Sequence, residues 1–305
     1  MMAIQTVGLL SPGDMGHSIG NVLRHGGLRV ITCLRGRSSR SATLAQEAGI
    51  EDVPDDETLV RQADVLLSVL PPDQALDIAQ RVAAAVRTTG AELLFADCNA
   101  ISPKTARKVA DVVEPAGIRM VDVGIIGNPP EPGPPKTRLY ASGRYAGEFA
   151  ELIEHGLDVR VMGGQIGQAS GIKMCYASLT KGLNALATEL LTAGRLMDVE
   201  APLLAELESS QPQLFAWINR QVPSMPPKAY RWVGEMLEIA ATYEDLGLTP
   251  RILQGAADMF TLVEQTPLGE ETPEHRTRGT TAAEVVTDLA EAIRGGTRAM
   301  AEAHL

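Results

Sequence analysis

Hydrophobic residues follow two different patterns along the chain, and the change comes near residue 165. Before it, short apolar runs alternate with segments of helical periodicity, as in parallel sheets that helices cover on both faces. The apolar runs predict strands at 4–10, 28–34, 63–70, 93–96, 120–123, 139–142 and 159–162. The last two are interpreted as a hairpin-like pair around a helix at 146–154. Other helices are predicted up to Arg24 and at 42–48, 73–86 and 103–114.

Beyond residue 165 every periodic segment predicts a helix. A proline-free stretch at 170–198 repeats apolar residues at helical spacing, with Ser170 as a plausible N-cap. Such a helix would be about 43 Å long, more than one small domain needs, so we interpret it as a link between two domains. Further helices are predicted at 201–221, 227–245, 250–264 and 280–293.

These patterns predict an α/β fold: a Rossmann-type doubly wound parallel sheet, followed by an all-α C-terminal domain that a long interdomain helix links to it. The expected domains are residues 1–165 and 166–305, because a chain of 305 residues is long enough for two cores. The Leu- and Ala-rich helical half beside the long helix predicts a homodimer surface.

Composition narrows the function classes. The net charge is −11 with scattered Lys and Arg, which argues against nucleic-acid partners and anionic membranes. The apolar runs are too short to span a bilayer, and a strand starting at residue 4 leaves no room for a signal peptide. The three cysteines are far apart and show no ligand spacing, so we expect a reducing cytoplasm, no disulfide framework and no metal site.

The first predicted strand runs into SPGDMG and then a helix, which is how a dinucleotide-binding fold begins. The three positions of the G-x-G-x-x-G fingerprint hold Ser11, Gly13 and Gly16. Gly13 would let the backbone approach a pyrophosphate, and Gly16 would let helix and strand pack. Asp14 and Met15 complete the predicted cofactor turn. The alternative is an ordinary strand–helix turn.

The end of the second predicted strand favours NADP over NAD. An NAD enzyme normally has an acidic residue there, whereas this chain has Leu34 and Arg35. Arg37 and Ser38 follow, with Ser39 and Arg40 after them, and guanidinium groups pair well with a 2′-phosphate. A solvated basic turn would leave the choice of cofactor open.

Five segments resemble motifs of the β-hydroxyacid dehydrogenase superfamily, which includes 3-hydroxyisobutyrate and 6-phosphogluconate dehydrogenases. They are VGLLSPGDMG, ADCNAISP, VDVGIIGN, GQASGIKMCYAS and YEDLGLTP. The similarity covers nearly the whole chain and is closest to a 6-phosphogluconate-dehydrogenase-like subgroup whose C-terminal domain has no assigned function.

The resemblance implies roles for particular residues. Lys173 falls on the family's catalytic lysine, and its apolar neighbours suit a lysine that transfers protons, although a lysine that only reaches for water is the alternative. The substrate site would be lined by Gly124, Ile125, Gly127 and Asn128. Cofactor contacts are further expected from the strand-end residues Leu70, Pro71 and Asn99. The expected reaction is hydride transfer between NADP(H) and a small hydroxy compound or carbonyl of hydroxyacid type.

Departures from the family pattern keep alternatives open. Tyr176 replaces the usual asparagine one turn after Lys173, where it either assists the proton transfer or merely packs. Asn99 and Ala100 replace a Ser-Thr pair, and Glu244 stands where lysine is common. An imine reductase on the same fold, or an NADPH-binding sensor without turnover, are the other hypotheses.

Overall fold

The computed structural model describes residues 4–302, and side chains for residues 4–295. The chain divides into two compact units, one up to Tyr176 and one from Ala177 onward. In the first unit the strands are β1 (Thr6–Leu9), β2 (Arg29–Thr32), β3 (Glu51–Asp52), β4 (Val65–Ser68), β5 (Leu94–Asp97), β6 (Arg119–Ile126), β7 (Arg138–Ser142) and β8 (Asp158–Gly163). Its helices are α1 (Asp14–His25), α2 (Ser39–Glu47), α3 (Asp56–Gln62), α4 (Ala75–Thr89), α5 (Pro103–Val113) and α6 (Ala146–Phe149).

The eight strands form one sheet in the order β3-β2-β1-β4-β5-β6-β7-β8. Neighbours from β3 to β6 are parallel, β7 is antiparallel to β6, and β8 is parallel to β7. The predicted Rossmann-type sheet is therefore confirmed. The hairpin-like interpretation of the last two strands is wrong, because α6 and a 3-10 turn (Ala150–His155) form a crossover that brings β8 alongside β7 in the same direction.

Alternation along the strands explains why they are continuously apolar. In β4, Val65 and Leu67 join the buried cluster on one face of the sheet, whereas Leu66 joins the cluster on the other. Each face is covered by helices, so both sets of side chains leave water.

The sixth strand is longer than predicted. Pairing with β7 runs from Asp122 opposite Ser142 to Ile126 opposite Arg138, so Gly124 and Ile125 lie on the strand and not in a loop. The short strand β3 and helix α3 were not predicted, since residues 49–62 carry little periodic apolar signal. This extension of β6 matters for the site, because it fixes the backbone around Gly124.

Helix α7 (Gln168–Leu196) has the predicted 29 residues, but it begins two residues early. Ser170 is therefore inside the helix and is not its N-cap. The second unit continues with α8 (Glu200–Ser210), α9 (Pro212–Gln221), α10 (Ala229–Asp245), α11 (Arg251–Glu264) and α12 (Ala282–Glu302). The single helix expected at 201–221 is two helices, because Pro212 cannot continue the first one and instead starts the second.

The second unit has its own core. Trp232 packs edge-on against Phe260 with ring centres 5.2 Å apart, and Met236 and Leu289 are fully buried. Across the part of the chain that the structure describes, no helix combines the length and apolarity that crossing a bilayer requires.

Candidate active site

The turn after β1 has the backbone of a phosphate-binding turn. Gly13 is the N-cap of α1 in an extended conformation, so no side chain covers the first amide groups of the helix. A Cβ at Gly16 would overlap the carbonyl oxygen of Ser11, which means that only glycine allows this contact. Ser11, at the position of the missing glycine, has φ +137°, a value that side-chain-bearing residues seldom adopt. The turn thus keeps the glycine backbone without the first glycine, and it fits a pyrophosphate.

The charge in the first turn of α1 is balanced. Asp14 is the first helical residue, and its carboxylate forms an ion pair with Arg40 at the start of α2. An unpaired carboxylate there would repel a phosphate, and the pairing removes most of that repulsion. Met15 packs against the core of the sheet.

Only some of the residues that are predicted to bind a 2′-phosphate lie together in the structure. Arg35 is exposed and lines a cleft of about 330 Å³ together with Gly36 and Arg81. Arg37 is turned inward, where burial, with the charge of Arg81 as a further cause, lowers the pKa of its guanidinium. Ser38 caps α2, since its Oγ accepts from the backbone N–H of Ser41 at 3.2 Å.

Two residues of that cleft were missed by sequence reasoning. Arg81, on α4, binds Asp56 at 2.7 Å and so brings a second cation to the cleft, far from Arg35 in sequence. A basic side chain on an otherwise amphipathic helix gives no sequence signal for such a role.

The ends of β4 and β5 are tied by Asn99. Its Oδ1 accepts from the backbone N–H of Leu70 at 2.6 Å, and its Nδ2 donates to Ser68 Oγ at 3.0 Å. These bonds hold the turn at Leu70 and Pro71 in place. The direct cofactor contact predicted for Asn99 stays a prediction.

Lys173 is anchored where β6 meets α7. Its Nζ donates to the carbonyl oxygen of Ile125 at 2.7 Å, and the side chain is partly buried. A Cβ at Gly124 would overlap the carbonyl oxygen of Ala169 and lie 3.1 Å from Lys173 Cβ, so strand and helix are in backbone contact here. The lysine therefore lies along the carboxyl-terminal half of β6, at the edge of the sheet where ligands of such folds bind.

The remaining predicted substrate residues continue from β6. Gly127 has φ +138° and packs against Thr137, whose hydroxyl donates to the carbonyl oxygen of Asn128. Gly127 and Asn128 are exposed, so their polar groups are accessible.

Two other residues of α7 have different surroundings. Tyr176 follows Lys173 by one turn and is 47% exposed. Lys181, in the second unit, forms an ion pair with Glu235 and lies 4.9 Å from the ring centre of Trp232. Its charge is thus neutralised within the helical unit.

Two buried carboxyl groups on adjacent strands were not anticipated. Asp97 on β5 and Asp122 on β6 are register partners, each 1% exposed. Asp97 Oδ1 accepts from the N–H of Asn99, while its Oδ2 has no hydrogen-bond partner among the described residues. Burial, with the charge of Asp122 as a further cause, raises the pKa of Asp97 to about 7. A carboxylate inside each of two apolar strands is the sequence signal that would have found this pair.

No cluster of three or more His, Cys, Asp or Glu side chains arranged for a metal ion occurs within the described residues. Among the described residues, Cys33, Cys98 and Cys175 form no disulfide.

Comparisons with known proteins agree with this geometry. Residues 4–132 match the NAD binding domain of 6-phosphogluconate dehydrogenase, and residues 195–263 match a domain of unknown function (DUF1932). A Methanothermus fervidus relative, described only as an uncharacterized 28.5 kDa protein in the 7S RNA 5′ region, is 26% identical over 261 residues, or 85% of this chain and 99% of the relative.

Solved structures extend the likeness. A conserved protein of unknown function, whose structure is similar to 3-hydroxyacid dehydrogenases, is 30% identical over 85% of this chain and 96% of its own, with a TM-score of 0.62. Mycobacterium tuberculosis 3-hydroxyisobutyrate dehydrogenase with L-serine is 17% identical over 94% of this chain and 99% of its own, with a TM-score of 0.66. A Streptomyces aurantiacus imine reductase is 16% identical over 93% of this chain and 99% of its own, with a TM-score of 0.55. The last two share the fold.

Proposed function

The chain belongs to the 3-hydroxyacid dehydrogenase-like family, with the NAD binding domain of 6-phosphogluconate dehydrogenase at its start, and from this premise we propose its reaction. We propose an NADP(H)-dependent oxidoreductase that interconverts a hydroxy compound of hydroxyacid type and the matching carbonyl compound. The observation that carries this proposal is Lys173, held at 2.7 Å on the Ile125 carbonyl beside the carboxyl edge of a dinucleotide-binding sheet.

The cofactor would be held by the open N-terminus of α1, by Gly13 and Gly16, and at its ribose phosphate by Arg35. The Ser11–Gly16 contact supports this, because a Cβ at Gly16 would push α1 away from the turn. When bound, the nicotinamide supplies or accepts the hydride. Asn99 would act by holding the Leu70 turn, and Asp14 stays neutralised by Arg40.

Lys173 would carry the proton. In oxidation its amine takes the proton of the substrate hydroxyl group, and in reduction its ammonium returns that proton to the carbonyl oxygen. The Ile125 carbonyl fixes the direction of one N–H bond of Nζ. Exposed backbone groups at Gly127 and Asn128 would bind the polar end of the substrate.

The test of this role is Lys173→Ala, with Lys108→Ala as a matched control on an exposed helical position. Since a positioned acid–base group contributes about 10²–10⁴ in rate, turnover on a panel of β-hydroxy acids and their ketones should fall by that factor. The dissociation constant for NADPH, measured by fluorescence, should stay within about twofold. Turnover near the wild-type value in Lys173→Ala would refute the role.

The preference for NADP over NAD rests on Arg35. Loss of one phosphate contact costs roughly one order of magnitude in affinity, so Arg35→Ala should weaken NADPH about tenfold and NADH hardly at all. Arg61→Ala, on the exposed end of α3, is the control. Equal losses for both cofactors would contradict the assignment.

Homodimer formation is proposed through the second unit. A groove of about 470 Å³ lies between α7 and α11, with protruding Leu186 (60% exposed) and Ile252 (71% exposed) beside it. Glu189 and Arg251 line the groove, so two copies can meet with opposite charges. Sedimentation should give a dimer at micromolar concentration that Leu186→Glu shifts toward monomer, and a monomer for the wild-type protein would refute this.

An imine reductase is the second candidate, supported by the shared fold of the Streptomyces aurantiacus enzyme. Lys173 counts against it, because such enzymes often lack the lysine. A panel of cyclic imines alongside ketones, with NADPH oxidation as the readout, separates the two. Tight NADPH binding with no oxidation on either panel would favour a sensor.

A further inference from the structure

The carboxylate of Asp122 closes the N-terminus of α7. Its Oδ2 accepts from the backbone N–H groups of Gly167 at 2.8 Å and of Ser170 at 3.0 Å, and its Oδ1 accepts from Ser170 Oγ at 2.6 Å. A carboxylate from a neighbouring strand thus takes the place that an N-cap side chain normally fills.

A second strand joins the same turn of helix. Ser142, the register partner of Asp122 on β7, donates to Asp122 Oδ2 at 3.0 Å, and its Oγ accepts from the N–H of Ala169 at 3.0 Å. Asp122, Ser142 and Ser170 are each at most 1% exposed. Water therefore does not compete for these bonds, and the negative charge lies at the positive end of a 29-residue helix.

The same strand and helix meet again at the lysine. Ile125 follows Asp122 by three residues on β6, and Lys173 follows Ser170 by three residues on α7. Strand β6 and helix α7 are thus hydrogen-bonded at two places: Ser170 donates to Asp122, and Lys173 Nζ donates to the Ile125 carbonyl oxygen. Gly124 lies between them and allows the backbones to touch. A shift of α7 at its first turn therefore moves Lys173 relative to β6.

We infer that Asp122, with Ser142 and Ser170, is a positioning group that sets the place of the Lys173 ammonium along β6. An effect of this group on turnover rests on the proposed function, whereas its effect on the position of Lys173 does not. Since the carboxylate occupies the N-terminus of α7, that end of the helix is closed to an anionic group of the substrate.

The position of Lys173 is tested by NMR, with no measurement of turnover. The readout is the Nζ resonance of Lys173 in [15N]lysine-labelled protein, which is assigned by its loss in Lys173→Ala. Asp122→Asn keeps the shape and removes the charge, and it should shift that resonance or broaden it beyond detection. Asp97→Asn is the matched control, because Asp97 is equally buried on the adjacent strand but does not bind α7. It should leave the resonance in place.

If the group positions Lys173 for catalysis, its loss should lower kcat and leave the NADPH dissociation constant nearly unchanged. Asp122→Asn should lower kcat by about tenfold to a hundredfold, as a displacement of roughly 1 Å does, with the NADPH dissociation constant within about twofold. Ser142→Ala removes two bonds of the group and Ser170→Ala removes one, and because the Asp122 carboxylate stays in both, each should lower kcat less. They also stand in if Asp122→Asn fails to fold.

The outcomes separate the two proposals. An unmoved Lys173 resonance in folded Asp122→Asn, or in both serine variants if that protein does not fold, overturns the positioning role whatever the turnover. A moved resonance supports it, even if full turnover of Lys173→Ala refutes the catalytic role of the lysine.

Discussion

The N-termini of α1 and α7 are built alike and used differently. Each helix start packs against the strand side of the sheet at a position where only glycine fits: Gly16 lies against the Ser11 carbonyl, and Gly124 lies against the Ala169 carbonyl. The end of α1 has a glycine N-cap and no side-chain cap. The end of α7 holds the Asp122 carboxylate.

The difference shows what a strand–helix junction can do. An open helix N-terminus offers its N–H groups and positive end to a phosphate. A helix N-terminus that a carboxylate occupies cannot bind a ligand there. It is a fixed support, which the proton transfer proposed for Lys173 would require. Under the proposed function, one sheet edge would combine a site for the cofactor and an anchor for Lys173.

We call the β1–α1 contact at Gly16 the open junction, and the β6–α7 contact at Gly124 and Asp122 the anchored junction. The largest effect is expected from adding a side chain at Gly124 in the anchored junction. Gly124→Ala would force the first turn of α7 away from β6, because the new Cβ overlaps a backbone oxygen that cannot turn aside. We expect turnover to fall at least about a hundredfold, while NADPH binding at the α1 junction stays near normal.

Gly164→Ala is the control for that change, since a Cβ at Gly164 has no atom within 4 Å. Steady-state kinetics and NADPH fluorescence check both variants. Equal loss of cofactor binding and turnover in Gly124→Ala would mean that the two junctions do not act separately.

The next effect concerns the two register-paired carboxyl groups beside the anchored junction. Asp122 has its hydrogen bonds filled, and Asp97 Oδ2 has none among the described residues, so Asp97 should hold the proton. The pKa of Asp97 rises from the usual 3.8 to about 7 in the folded chain. Folding is therefore favoured by the bound proton below about pH 4, and this stabilisation is lost as the pH rises to 7.

Asp97→Asn, which is neutral at every pH, should remove that loss. A pKa rise from 3.8 to about 7, at 1.36 kcal/mol per pKa unit, sets an upper limit of about 4 kcal/mol on this loss of stability. Partial hydration lessens burial penalties, so at pH 8 the unfolding free energy of Asp97→Asn should exceed that of the wild type by about 2 kcal/mol. Urea unfolding at pH 4 and pH 8 measures it. A difference that does not change between the two pH values would contradict the assignment of the proton.

The sequence predicted the open junction well and the anchored one only in part. Apolar runs and the SPGDMG turn predict β1 and α1, because that signal is local, and the cofactor contacts expected at this turn stay a prediction. The role of Lys173 is expected only from the resemblance of its segment to a family motif. Its anchor was not found, because Asp122 and Ser170 are 48 residues apart and meet only when β6 and α7 pack.

The errors in the sequence reading have the same cause. The sequence pattern predicts Ser170 as an N-cap because a serine before an apolar run usually is one, but Asp122 from β6 caps the helix in its place. The sequence pattern predicts a hairpin-like β7–β8 pair, but the strands are parallel, because pairing direction depends on the connection between strands, which apolar alternation does not reveal.

The smallest effect should come from restoring glycine at the open junction. Ser11 has φ +137°, and a non-glycine residue in such a conformation costs of order 1–3 kcal/mol. Glycine removes that strain but loses more chain entropy on folding, roughly 0.5–1 kcal/mol. Ser11→Gly should therefore raise the unfolding free energy by about 1 kcal/mol, whereas Ser11→Ala, which keeps a Cβ, should not. Thermal unfolding with and without NADPH measures both, and since Lys173 is held at the other junction, kcat should not change. A lower melting temperature for Ser11→Gly would show that the serine side chain stabilises the turn by more than its backbone strain costs.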